Sequence, residues 1–209
     1  MASVSQSGLR LPNRFASAAL QAIGELVDAG TMAQFLSENE LDHLVDNYPP
    51  ANLERGFDFA EFSALNLGLE KKYGVRGGRS SAARVGGRVF MKLQEELWPL
   101  LGRNTRFRAL PVGVKLRVAL PILAQLISKS SDQICTVRAH RTGYDFLVSK
   151  NAVCWGRRNE EKPVCAFFVG FLSEAVHQIT SKTDFRVDEV ECLAAAASFC
   201  RFAIQAGNA

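Results

Sequence analysis

Apolar positions recur along this chain with two different periods, helical over the first 130 residues and strand-like over much of the remainder. After Pro12 and Asn13, Phe15, Ala18, Ala19, Ala22, Ile23, Leu26 and Val27 mark one face of a helix that Gly30 should stop. A second short helix is predicted from Thr31, ended by the Tyr48-Pro49-Pro50 stretch, because the residue before a proline avoids helical geometry. Asp58 has the position of a cap for FAEFSALNLGLEKKYG. The pairs Gly77/Gly78 and Gly86/Gly87 bracket the next predicted helix start, and VFMKLQEELWPLLG carries a helix toward Gly102 with an interruption near Pro99. The segment PVGVKLRVALPILAQLISKSS predicts another helix that Pro121 kinks or restarts.

From Asp132 the period changes. DQICTVRAH and RTGYDFLVSKN read as two strands around a turn at Arg141, Thr142 and Gly143, followed by the polar connection AVCWGRRNEEKP. Pro163 opens VCAFFVGFLSEAVHQI, a helix with so little polar surface that it must be largely buried. FRVDEVECLA and FCRFAIQA then form a terminal hairpin. The predicted fold class is α+β: an antiparallel sheet with N-terminal helices and a buried C-terminal helix. Residues 1–11 read as a flexible tail and 12–209 as one domain, with a mainly helical part over 12–130 and an α+β core over 131–206.

Composition narrows the function classes. With 209 residues, 47% hydrophobic and 22% charged, the chain can bury a core without disulfide staples. No run of about 18 apolar residues is present to span a membrane, and MASVSQSGLRLPNR lacks the apolar stretch of a secretory signal, so a cytoplasmic protein is expected. The net charge of +4 is unevenly spread: acidic residues dominate between Glu25 and Glu70, whereas Arg76, Arg79, Arg84, Arg88, Lys92, Arg103, Arg106 and Arg108 make the next stretch basic. No recognised nucleic-acid-binding motif accompanies them, so no nucleic acid partner is expected. RGGRSSAARVGGR lacks the spacing of a phosphate-binding loop, and close helix packing accounts for its glycines better.

Three of the five cysteines fall in the last quarter of the chain. Cys192 and Cys200, eight residues apart across the terminal turn, become cross-strand neighbours in a suitable register, and Cys165 enters from the first turn of the preceding helix. With a carboxylate from Glu189 or Glu191 they would surround a metal, and four protein ligands make such a zinc structural. The ordinary alternative is three buried thiols filling a core. None of His43, His140 and His177 sits in a nucleophile or triad motif, and no dinucleotide fingerprint or clustered cysteine run is present, so no catalytic residue is assigned. His177, near the end of the apolar helix, fits a helix-terminal role better than that of a ligand to a chlorin or haem metal.

PVCAFFVGFLSEAVHQ, VDEVECLAAAASFCRF, VCWGRR and RTGYDFLVSKN resemble the 4-vinyl reductase domain family, which includes hydrocarbon-binding proteins and the ligand domains of phenol sensors. LPNRF, YPPANLERGFDFAEFSAL and KKYGVRGGR are similar to the helical leader of its stand-alone members, so the resemblance spans nearly the whole chain. It implies the ligand-binding fold of nitric-oxide signalling and Golgi transport proteins, with an apolar cavity, and a zinc held by Cys165, Glu189, Cys192 and Cys200. A straight strand would point Glu189 and Cys192 to opposite faces, so this set needs a bulge or an end-of-strand twist; otherwise Glu191 or Cys154 supplies the fourth ligand. The family's common Gly-Asp turn is replaced here by Ala196 and Ala197.

The expected function is non-catalytic binding of a small apolar or aromatic molecule, such as a tetrapyrrole precursor of bacteriochlorophyll. Phe167, Phe168, Phe171, Leu120, Trp155 and Tyr144 are candidates for the pocket, with Arg138 or Tyr144 as polar anchor. The alternatives are a 4-vinyl reductase or its auxiliary subunit, and a protein-interaction scaffold. A homodimer is expected, made by the N-terminal helices in the scaffold alternative.

Overall fold

The computed structural model describes residues 5–101, 107, 109–181 and 184–207. Arg103, Arg106 and Arg108 of the basic stretch lie outside these. The described chain forms β1 (Arg10–Pro12), α1 (Asn13–Val27), α2 (Ala29–Ser37), β2 (Arg55–Asp58), α3 (Phe59–Leu101), α4 (Val112–Ser130), β3 (Cys135–His140), β4 (Gly143–Val148), α5 (Ala166–Thr180), β5 (Phe185–Glu191) and β6 (Cys200–Ala206). It is an α+β arrangement in which a four-stranded antiparallel sheet, order β3-β4-β6-β5, carries α5 against it, and β1 and β2 form a separate two-stranded sheet.

The segment expected to be a loose tail is tied down from Ser7 onward. Asp58, fully buried, accepts hydrogen bonds from the Ser7 and Gly8 amides, the Ser7 hydroxyl and the Ala60 amide. It thus caps α3 as the sequence suggested and also gathers the N-terminal strand. Burial acts to raise its pKa, but these donors outweigh that and hold the carboxyl below the ordinary carboxylate value. Arg10 exchanges backbone and carboxylate bonds with Asp132, which pins β1 to the junction between α4 and β3.

α3 breaks at Gly74, where φ is 70° and ψ 168°, rather than at either glycine pair. Those pairs lie within the helix and answer a packing need. A Cβ at Gly86 would stand 2.0 Å from the Phe167 carbonyl oxygen, and one at Gly170 would stand 1.8 Å from that of Ala83, so α3 and α5 cross with their backbones in contact. α4 runs through Pro121, and α3 passes Pro99, where an interruption was expected. At Pro121 one amide donor is lost, and the buried Leu116, Leu120 and Leu123 on both sides hold the helix to the core. In the terminal turn Ala196 adopts a left-handed conformation, φ 63°, at a place where glycine would be unstrained.

Aromatic side chains fill the space between the helical part and α5. Phe15 and Phe62 pack at 5.5 Å, Phe62 and Phe167 at 5.1 Å, and Phe90 and Phe171 at 5.3 Å between ring centroids. On the sheet side Phe168 stacks on Phe202 at 5.5 Å. The candidate sites lie where this packing ends.

Candidate functional site

Four buried thiols converge at the end of the sheet, those of Cys154, Cys165, Cys192 and Cys200. Each comes from a different local device. Cys200 opens β6, and Cys192 follows β5, whose register shifts between Glu189 and Glu191 and turns Val190 outward. Cys165 is the residue before α5, free to take non-helical angles there. Cys154 ends a short 3-10 turn, Ala152–Cys154, whose start is capped by Asn151 accepting from the Val153 amide.

The sulfur separations are 3.7 Å for Cys154–Cys200, 3.8 Å for Cys165–Cys192, 3.7 Å for Cys165–Cys200 and 3.9 Å for Cys192–Cys200. Zinc–thiolate bonds of about 2.3 Å place tetrahedral sulfurs about 3.8 Å apart. Four of the six edges therefore have the length of a four-thiolate site and all lie within 4.8 Å, so the set fits a structural metal ion. Its surroundings suit thiolates as well: the Asn151 side-chain amide donates to Cys165 Sγ at 3.3 Å, and the Leu193 amide to Cys200 Sγ at 3.4 Å. The neighbouring thiols of Cys154, Cys165 and Cys200 hold the Cys192 pKa well below its ordinary value, whereas burial pushes Cys165 up.

Glu189, expected among the ligands, reaches the same region by way of the bulge. Its Oε2 accepts from the Cys165 amide at 2.6 Å, and its Oε1 is buried with no hydrogen-bond partner. Burial, followed by the nearby Cys192 and Cys200, pushes its pKa up to about 9. It belongs to the surroundings of the four sulfurs, while Glu191 pairs outward with Arg201 at 3.0 Å. The fifth thiol, Cys135, is buried elsewhere on β3 and its pKa is pushed up to about 12, chiefly by burial.

A cavity of about 220 Å³ opens between the helical part and the α5–sheet layer. Its apolar walls include Phe15, Leu93, Leu123, Leu126, Ile127, Phe168 and Phe171, and Leu53, 67% exposed, stands at its rim. Arg14, Ser130, Ser131 and Gln133 are its polar members. Of the residues expected in a pocket, Phe168 and Phe171 line this one. Phe167 is turned into the Phe15–Phe62 cluster, Leu120 is fully buried in α4, and Trp155 packs edge-on against Phe59 at 6.0 Å. The Tyr144 hydroxyl donates to the Gly113 carbonyl at 2.9 Å, and the exposed Arg138 lies over Phe199. His177 lines a separate open groove between α3 and α5 with Arg84 and Glu174.

The two sites are joined through short stretches of chain. α5 begins at Cys165 and one turn later presents Phe168 and Phe171 to the cavity. The connection from Cys154 continues to Arg157, whose buried guanidinium makes a two-pronged ion pair with Glu70 at 3.0 Å and a further bond to Glu160. Sequence reading offered no signal for Gln133 or Asn151, two polar residues beside strand ends. It also missed Leu123, Leu126, Ile127 and Leu93, ordinary members of apolar helix faces.

A helix-covered antiparallel sheet with a buried four-thiol cluster at its end and an apolar cavity under its helical part is the class of domain these observations define. Residues 145–206 match the V4R domain, and the resemblance read from the sequence is borne out over this segment. No curated protein sequence matches the chain significantly. Among solved structures, the Fe(II) unliganded H-NOX protein from K. algicida superposes with a TM-score of 0.62 at 9% identity, over 95% of this chain and 98% of that one. The phenol-responsive sensory domain of the transcription activator PoxR, solved with phenol, gives 0.52 at 18% identity over 73% of this chain and 77% of its own. A trafficking protein particle complex subunit 3 from Naegleria fowleri, covalently bound to palmitic acid, gives 0.54 at 13% identity over 72% and 93%. At these identities the likeness is one of fold. No described helix is long and apolar enough to cross a membrane.

Proposed function

We propose that this protein binds a small apolar molecule, of about one aromatic ring, in the cavity between its helical part and its V4R domain, with a structural zinc at Cys154, Cys165, Cys192 and Cys200 bracing one wall. The observation that carries the reading is the cavity, about 220 Å³ and lined mainly by leucine, isoleucine and phenylalanine. A dry apolar cavity of about 150 Å³ is known to accept benzene, so burial of a ring there is favourable. PoxR, which shares the fold, was solved with phenol, and the Naegleria subunit with palmitic acid; both support an apolar ligand. The volume favours a single ring over the four-ring tetrapyrrole, which would need α3 and α4 to part.

Zinc is favoured by the all-sulfur donor set and its tetrahedral spacing. The ion would hold β6, the end of β5, the start of α5 and the 152–154 turn together, with Glu189 and Asn151 orienting them. Isothermal titration with p-cresol tests the ligand reading. Wild-type protein should bind it, and Leu126→Trp, which fills the cavity, should abolish binding while keeping the melting temperature. Absence of binding to wild type, or binding that survives in Leu126→Trp, would overturn it.

A further inference from the structure

Gln133 lines the cavity and is 3% exposed. Its Oε1 accepts from the Ala152 amide at 3.2 Å, and its backbone N–H donates to Ser131 Oγ at 3.2 Å. A backbone N–H can only donate, so the atom facing Ala152 is the oxygen, and this fixes which end of the side chain carries the NH2 group. That NH2 makes no hydrogen bond among the described residues. It is not among the atoms sealed away from every partner in the interior, and Gln133 lines the cavity, so the NH2 stays a free donor to a molecule bound there. The Ser130 and Ser131 hydroxyls, which both donate to the Ile127 carbonyl, make no hydrogen bond with it among the described residues. Among the described lining residues Arg14 is the single charged side chain and there is no carboxylate, so an electron-rich ligand group meets no repulsion.

We infer that the cavity selects ligands carrying a hydrogen-bond-accepting oxygen, a carbonyl, phenolic or carboxylate oxygen on a small apolar skeleton, and that the Gln133 side-chain NH2 is the group that recognises it. This rests on the ligand-binding reading above and narrows the ligand class from any small hydrocarbon to an oxygenated one. Gln133 is well suited to the role because Ala152 holds the amide in one orientation, so little freedom is lost when the ligand arrives. Its neighbour Asp132 is fastened to Arg10 and, at 3.1 Å, to Arg55, which keeps this corner of the cavity rigid.

The test uses the full chain and two probes of nearly equal shape, acetophenone and α-methylstyrene, which differ by an oxygen in place of a CH2 group. Their affinities are measured for wild type and Gln133→Met. The preference for acetophenone over α-methylstyrene should fall about tenfold in the variant, a change of about 1.4 kcal/mol, while α-methylstyrene binds both proteins alike and reports an intact cavity. A second readout needs no variant: the carbonyl stretch of acetophenone bound to wild type should lie below its position in an alkane solvent. An unchanged preference together with an alkane-like stretch would refute the role of Gln133 and leave the ligand-binding reading standing. Failure of both probes to bind wild type would remove both.

Discussion

Removing one sulfur from the four-thiol cluster tests the metal centre most directly, and Cys200 is the residue to change. Its Sγ lies 3.7, 3.7 and 3.9 Å from those of Cys154, Cys165 and Cys192, so Cys200→Ser disturbs every edge it shares. The core of this chain is large, unlike that of a zinc finger, so the variant should fold but lose what metal binding adds to stability. With free zinc at about a thousand times the dissociation constant, that contribution is about 4 kcal/mol. For a chain of this size it corresponds to a melting temperature about 8–16 °C lower. Cys135→Ser is the matched control, because Cys135 is buried but stands outside the cluster. Metal content by elemental analysis and thermal melting with and without chelator give the result. Wild type and Cys135→Ser should carry one zinc per chain and lose stability to chelator, whereas Cys200→Ser should carry little and respond little. Equal zinc content and equal melting of wild type and Cys200→Ser would refute the reasoning, as would a wild-type protein that takes up no zinc.

Four further outcomes are expected. Gly170→Ala, whose Cβ would meet the Ala83 carbonyl oxygen at 1.8 Å, should lose about 3 kcal/mol by denaturant titration. Gly87→Ala on the same helix pair has 3.7 Å of room and should be neutral or gain up to about 1 kcal/mol in helix propensity. Arg157→Ala should cost about 3–5 kcal/mol, since it leaves the largely buried Glu70 carboxylate unpaired; side chains here are only 8% and 12% exposed. Asp58 has a folded pKa below its unfolded value, so its stabilisation is fully present above the unfolded carboxylate pKa and is lost as pH falls through the folded one. Asp58→Asn should therefore be less stable than wild type at pH 7, by about 1–2 kcal/mol, with a lower melting temperature, and should converge on wild type as the pH falls through the folded carboxyl's lowered pKa.

The order of helices and strands was legible because amphipathic period is a local property. So was the approach of Cys192 to Cys200, since a hairpin of known spacing has few registers, and that of Cys165, placed by the start of an apolar helix. Cys154 carries no such signal. It lies in a polar connection whose path is set by Asn151, by the Gln133 bond to Ala152 and by the distant Arg157–Glu70 pair, all contacts between residues far apart in sequence. The cavity was harder still. Phe167 and Phe168 are adjacent and equivalent in composition, yet one enters the Phe62 cluster and the other reaches both the cavity and Phe202. Which face of α5 meets which layer is decided by the glycine contacts with α3, and a glycine in a sequence does not say whether it serves a turn or a close crossing.

The stretch from Asn151 to Cys165 joins the four-thiol cluster to the cavity wall. Asn151 donates to Cys165 Sγ and caps the turn that carries Cys154, and the first residue of that turn, Ala152, donates to Gln133 at the cavity wall. Further along, Arg157 fastens the same stretch to the part of α3 that precedes Gly74. A ligand oxygen at the Gln133 amide is thus two hydrogen-bonded steps from a cluster sulfur, through groups that are all buried. Tightening one end restricts the other, because close-packed interiors do not deform continuously. Loss of metal should therefore weaken ligand binding, and by linkage loss of ligand should weaken metal binding by the same factor.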